Sequence, residues 1–283
     1  MASISTLGVG SGLDLSKILD SLEAAEKSTL TPISTQQSSY TARLSAYGTL
    51  KSALETFQTA NTALNKADLF TATSTTSSST AFSATTTGSA IAGKYTISIS
   101  QLAQAQTLTT QKSQTDTKTA IASKDSVLTI QQGGGKDPVT IDISAANSSL
   151  TGIRDAINNA KAGVSASIIN VGNGQYRLSV TSNETGKDNA MTLSVSGDSA
   201  LQSFMGYDGT AGSSGMEESV TAQNAKLTVN NVPIENSSNT ISDALEDITL
   251  NLNDVTTGNQ TLTITKDTSK AESAIKGWVD AYN

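Results

Sequence analysis

Ile33, Tyr40, Tyr47 and Leu54 fall seven residues apart, and Leu50, Phe57 and Leu64 make a parallel row beside them with Leu44 between. A step of seven is close to two turns of α-helix, so these side chains line one face of a long rod. An apolar stripe on a rod needs cover. It is either an ordinary core helix of one domain or one member of a helical pair. Gln37, Lys51 and Gln58 at alternate seam positions favour a short bundle over a long self-sufficient coiled coil. The far end of the sequence offers a partner: Ala271, Ala274, Ile275, Trp278, Val279 and Tyr282 recur at spacings of three and four. No stop signal follows Ala281 except the final Asn283, so that helix is expected to continue beyond this sequence.

A narrower stripe precedes the first one. Leu15, Ile18, Leu19, Leu22 and Ala25 keep helical spacing behind Asp14, a residue suited to capping. Thr31-Pro32 is expected to break this helix and to open the next, because proline disfavours a helical residue before it and is tolerated in a first turn. Ahead of it, Gly8, Gly10 and Gly12 make Met1 to Asp14 a stretch expected to be flexible. The alternating glycines do not form a phosphate loop, since no strand precedes them and no Gly-Lys-Ser/Thr follows.

Between the helical ends the period becomes two. Residues 71–87 read as a Ser/Thr-rich connector with no apolar period beyond Phe82, and Tyr95-Thr96-Ile97-Ser98-Ile99, entered from Gly93, reads as a strand. Two related segments follow. In the first, Leu128 to Ile130 and Val139 to Ile143 are strands about Gly133-Gly134-Gly135; Leu150, Ile153, Ala156 and Ile157 form a short helix; Val164 to Val180 is a hairpin turning at Asn173-Gly174. In the second, Leu227 to Val229 turns at Asn230-Asn231 into Val232 and Ile234. Ile241, Ala244, Leu245 and Ile248 read as a helical turn, and Leu250, Leu252 and Leu262 to Ile264 return to strand. Asp155 and Asp243 align at an offset of 243 − 155 = 88 residues, each helix following a Ser-Ser pair. Both aspartates are read as solvent-facing helix residues. Residues 206–219, rich in Gly and Ser, read as a mobile loop in which Glu217 and Glu218 point apart into water.

The implied fold is α+β: a β-rich middle of two β-β-α-β-β modules, inserted between amino- and carboxy-terminal amphipathic helices that pair as a helical leg. The expected divisions are a flexible segment with its helix at 1–32, a leg at 33–70 and 269–283, an inner β-rich domain at 71–123 and 220–268, and an outer head at 124–219. With 283 residues the chain has room for about two ordinary domains.

Composition narrows the function. The chain has no cysteine and no histidine, which removes the thiolate nucleophile, the commonest general base and the commonest metal ligand. The adjacent acids lack the separated, pocketed positions of glycosidase carboxylates. There is no Ser-x-x-Lys set to bury its lysine, and Asp208-Gly209 and Asp188-Asn189 lack the repeated oxygen ligands of a calcium loop. An enzyme is not expected, nor any cofactor, catalytic residue or metal site. A net charge of −7 without clustered Lys and Arg argues against nucleic acid as partner. No run of about 20 apolar residues is present, so no membrane insertion is expected. Neither is there a signal peptide, so any export uses another machine.

Several segments carry a family resemblance: Leu7-Gly8-Val9-Gly10-Ser11-Gly12-Leu13-Asp14, the run from Leu44 to Leu54, Gly93-Lys94-Tyr95-Thr96-Ile97, Gln101 to Gln106, Gly163 to Asn170, and Asp280-Ala281-Tyr282-Asn283. Together they resemble the bacterial flagellar filament-capping proteins, the flagellar hook-associated protein 2 family, here cut short at the carboxy terminus. The repeated module looks like the insertion motif of flagellin-related proteins. The resemblance implies a homo-oligomeric ring, a pentamer, at the distal tip of the flagellum outside the cell. Export would run by the flagellar type III route, with flagellin and the hook–filament junction proteins as partners. The ring would promote folding and polymerisation of exported flagellin. It also implies that Leu15, Ile18, Leu19 and Leu22 contact flagellin or a neighbouring subunit, while the residues from Ile33 to Leu64 and from Ile275 to Tyr282 pack the leg. The rival reading is a secreted surface adhesin whose Thr-rich head binds host mucin or glycan. Paired terminal helices discriminate, since an adhesin needs an anchor but no such pair.

Overall fold

The computed structural model describes residues 14–210, 212 and 215–283. The glycine-bearing opening, for which flexibility is expected, lies outside the described residues apart from Asp14. The chain divides into two units, one of Met1–Phe70 with Thr268–Asn283 and one of Thr71–Asp267.

Helix α1 (Leu15–Leu64) has 50 residues and is about 75 Å long at ~1.5 Å per residue. Asp14 caps it, accepting from Ser16 Oγ at 2.6 Å and from Lys17 N at 3.2 Å. Those bonds, the Ser16 hydroxyl first, hold its carboxyl below the ordinary range. The break expected at Thr31-Pro32 does not occur, for α1 runs through Pro32. Proline costs one rung of the helical ladder, the bond to Ser28 O. Ser28 is exposed, which leaves its carbonyl within reach of solvent. A four-residue turn, α2 (Asp68–Thr71), follows.

Strands β1 (Thr73–Ser77) and β2 (Phe82–Thr86) occupy the stretch expected to be an irregular connector. Threonine is β-branched and suits a strand. Its hydroxyls also do bonding work here, Thr75 Oγ1 donating to Ala84 O at 2.7 Å and Thr73 Oγ1 to Thr86 Oγ1 at 2.7 Å. Alternation exists at β2, where Phe82 and Ala84 are buried, but the hydroxyl-bearing positions around them mask it in the sequence.

The chain continues as β3 (Gly93–Gln101), β4 (Thr107–Thr110), β5 (Ser126–Gln132), β6 (Val139–Ile143), α3 (Leu150–Ala160), β7 (Val164–Gly172), β8 (Gln175–Ser182), β9 (Met191–Ser196), α4 (Ser199–Met205) and β10 (Met216–Val220). It returns through β11 (Ala225–Val229), β12 (Val232–Asn236), β13 (Thr240–Leu245), β14 (Ile248–Leu252) and β15 (Gln260–Lys266) to α5 (Ser269–Tyr282). The β7–β8 and β11–β12 hairpins turn at Asn173-Gly174 and Asn230-Asn231, whose asparagines have φ of 51° at 173, 50° at 230 and 65° at 231. That is the left-handed geometry such turns require.

Two cores form inside the 71–267 unit. A five-stranded sheet, β1-β15-β3-β11-β12, and a three-stranded sheet, β13-β14-β2, enclose Phe82, Ile97, Ile99, Leu227, Ile241 and Leu250. A four-stranded sheet, β10-β4-β8-β7, and a three-stranded sheet, β6-β5-β9, enclose with α3 and α4 a second core built on Leu128, Ile130, Ile153, Ile157, Leu178 and Phe204. Leu108 and Ala122 also lie in this second core, on the inner side of the expected 123/124 boundary.

The second module lacks the helix expected at Ile241 to Ile248. Thr240–Leu245 is strand β13, and Ile241, fully buried, sits opposite Leu250. Six residues are too few to sustain a helix against a ready strand partner. Asp155 therefore lies on a helix and Asp243 on a strand, so the module aligned at that offset is not repeated in structure. The loop expected at 206–219 is corrected too, because Met216–Val220 pairs with β4. Met216 is buried, Glu218 accepts from Gln106 Nε2 at 2.7 Å, and Glu217 accepts from Arg177 at 3.2 Å.

The segment after β8 ties one core to the other. Gly186 N donates to Gln104 O at 3.0 Å, Thr185 Oγ1 to Ser237 O at 2.7 Å, and Lys187 N to Asn224 Oδ1 at 2.8 Å. Gly186 has φ +98°, and a Cβ there would strike Ser237.

Candidate assembly interface

Helix α5 packs on the carboxy-terminal part of α1. The contact centres on three rings. Phe57 lies 5.5 Å from Trp278 and 6.1 Å from Tyr282, and Trp278 stacks on Tyr282 at 5.8 Å with planes 8° apart. Such offset pairs add to the gain from burial alone. Beside them Ala60, Ala63 and Leu64 of α1 and Ala274 and Ala281 of α5 are half-buried, and Ala271 is buried. Alanines let the two backbones approach. Ala60 and Ala63 do not stand out in the sequence, although Phe57, Ala60 and Leu64 keep the three-and-four step that marks one helix face.

Of the residues expected to pack the leg, Phe57, Leu64 and Trp278 lie partly buried in this contact, whereas Ile275 and Val279 are more exposed and Tyr282 offers mainly its ring face. Ile33, Tyr40, Leu44, Tyr47, Leu50 and Leu54 lie exposed along α1, Leu44 at 74% and even Leu50 at 55%. Leu15, Ile18, Leu19 and Leu22 continue the exposed row, at 37–62%. Within this sequence α5 supplies 14 residues, about 21 Å of helix beside about 75 Å of α1. Local ion pairs, Lys27 with Glu23 at 2.6 Å and Lys51 with Glu55 at 3.8 Å, lie on the same helix and are solvated.

Among the described residues there is no group of three or more acidic side chains placed to hold a metal ion, and no helix long and apolar enough to cross a membrane. What the geometry supplies is a row of exposed apolar side chains along α1, from Leu15 to Leu54.

Two helices, α1 and α5, pair with each other, and the residues between them in sequence form a separate β-rich unit, an α+β architecture. Three family models match: the flagellar hook-associated protein 2 N-terminus over residues 11–106, its C-terminus over residues 222–283, and the flagellin hook IN motif over residues 127–184. Flagellar hook-associated protein 2 of Escherichia coli strain K12 is 84% identical over the whole chain, which spans 60% of that relative's length. The crystal structure of the flagellar cap protein FliD D1-D2-D3 domains from Escherichia coli matches with a TM-score of 0.81 and 84% identity, over 84% of this chain and 67% of that one. That of the D2-D3 domains from the same organism matches with a TM-score of 0.68 and 83% identity, over 69% of this chain and all of that one. The chain belongs to the flagellar hook-associated protein 2 family, a family of structural cap proteins that are not enzymes. The IN motif falls on β5 to β8, the module that keeps its helix.

Proposed function

We propose that the protein containing this chain is a subunit of the cap at the distal end of the bacterial flagellar filament, outside the cell. Copies form a ring, a pentamer, that promotes folding and polymerisation of exported flagellin. Export runs by the flagellar type III route, and the hook–filament junction proteins are neighbours during assembly. The observation that carries this reading is the pairing of α1 with α5 around Phe57 and Trp278, in a chain 84% identical over its whole length to flagellar hook-associated protein 2 of Escherichia coli. Leu15, Ile18, Leu19 and Leu22 contact flagellin or a neighbouring subunit, and Ile33 to Leu54 pack the leg. Residues 33–70 with 269–283 form the leg behind the terminal segment 1–32, the inner domain holds the first core, and the outer head holds the second, to which Leu108 belongs.

Contacts that order on docking have modest net affinity, because ordering consumes part of the contact energy, and a cap that advances has to release and re-form them. The test is complementation. Full-length protein supplied to a cap-less cell should convert leaked flagellin monomer into filament, and deletion of Met1 to Ser28 should abolish that. Filament growth unchanged by the deletion would refute the role given to the first helical stretch.

A further inference from the structure

We propose that the free edge of β7 is a pairing site for a second copy of this chain, joined through β7 in antiparallel register about Ile169. An unpaired strand edge invites another strand, and folded proteins protect it with charge, proline, bulges or cover. The other edges among the described residues show such devices. β1 and β2 bond each other through threonine side chains, and β12 carries Pro233 and Glu235. β13 is bulged, β6 carries Asp142, and β10 carries Glu217 and Glu218 with a bulge. On β9, Leu193 exchanges both backbone bonds with Tyr207 at 2.8 Å.

β7, with sequence Val-Ser-Ala-Ser-Ile-Ile-Asn-Val-Gly, has neither charge nor proline and ends the four-stranded sheet; its bulge falls between Asn170 and Gly172, at the hairpin end, and leaves the run from Val164 to Asn170 regular. Its inner half is closed by one side chain: Asn158 of α3 donates through Nδ2 to Ala166 O at 3.0 Å and accepts at Oδ1 from Ala166 N at 2.8 Å, occupying the place of a neighbouring strand. That contact fixes the parity of the strand. If Ala166 turns its backbone groups outward, Ile168 and Asn170 do so too, since outward and inward residues alternate. No bond within the described residues takes those outward groups. Beside them Ile169 is 43% and Val171 50% exposed.

The occupant follows from what the edge offers. Outward groups at 168 and 170 match their own antiparallel copy, 168 against 170 and 170 against 168, which gives about four hydrogen bonds and sets the two Ile169 side chains opposite each other. The edge is uncharged in a chain of net charge −7, so copies meet there without like charges in contact. The result is one continuous sheet, β10-β4-β8-β7 doubled across a two-fold axis. A two-fold pair does not close a ring, so its failure would leave the proposed cap function untouched.

The chain has no cysteine, so one introduced thiol is unique. Opposed residues at a position like 169 have Cα atoms about 4.5 Å apart, within the ~4.4–6.8 Å a disulfide spans. Mild oxidation of the Ile169→Cys chain should give a covalent dimer severalfold faster than that of Val171→Cys, whose counterpart in this register is Ser167. Sedimentation of the unmodified chain should show a dimer growing with concentration, and Asn170→Pro or Ile169→Lys should remove it while circular dichroism stays unchanged. A monomer at every concentration, equal cross-linking at 169 and 171, or an oligomer indifferent to both substitutions would each overturn the proposal.

Discussion

Asp198 precedes α4 and collects bonds from Ala200 N at 2.8 Å, Leu201 N at 3.1 Å, Ser123 N and Oγ at 2.9 Å and Lys124 N at 3.2 Å. The Leu201 amide and then Ser123 lead in pulling its carboxyl down to about 2 from an ordinary 3.8. A lowered folded-state value means stability that is fully present above pH 3.8 and is lost as pH falls through about 2. Acid titration followed by circular dichroism should show an unfolding limb in that window, and Asp198→Asn should flatten it. Ile153, fully buried between α3 and the sheets, tests the packing instead. Ile153→Ala should lower stability by about 2–5 kcal/mol in urea denaturation, by lost transfer energy and the cavity left behind. Ile153 was legible in the sequence from its spacing with Leu150 and Ile157. Asp198 was not, because its partners Ser123 and Lys124 lie far off in the chain and only folding brings them to it.

At the scale of elements, the segment Thr185–Lys187 depends on a residue without a side chain. Gly186→Ala puts a Cβ against Ser237 at a φ that L residues rarely adopt. It should cost about 1–3 kcal/mol by strain and displaced backbone. Limited proteolysis should then cut near Asn183 to Lys187 faster, with both cores still folded. Strong local signals reached the structure: the two asparagine-bearing hairpins, the alternation of β3 and the helix α3. The helix expected at Ile241 to Ile248 failed because its step of three and four is shared by a short bulged strand, and tertiary pairing with β14 decided between them. Thr73–Ser77 was missed for the opposite reason, as its inward positions are hydroxyls whose partners are not neighbours in sequence.

At the scale of the whole chain, the sequence contains one tryptophan, and Trp278 lies against Phe57 and Tyr282 in the α1–α5 contact. Its fluorescence therefore reports that contact alone, while far-ultraviolet circular dichroism also follows the sheets of residues 71–267. Two separately clustered units should give denaturation curves that do not coincide, the fluorescence midpoint falling at lower denaturant. Superimposed curves would show a single cooperative block. The helical segments and the sheet-forming interior were legible from period alone, whereas the meeting of Phe57 with Trp278 was not, because the two lie far apart in sequence and only folding brings them together. The tie at Gly186 also has a mechanical meaning. Two covalent crossings, before β4 and after β10, join the inner and outer cores, and the Gly186 segment adds a third anchorage beside them. A tug on the outer core is thus shared among three attachments instead of falling on a single connection.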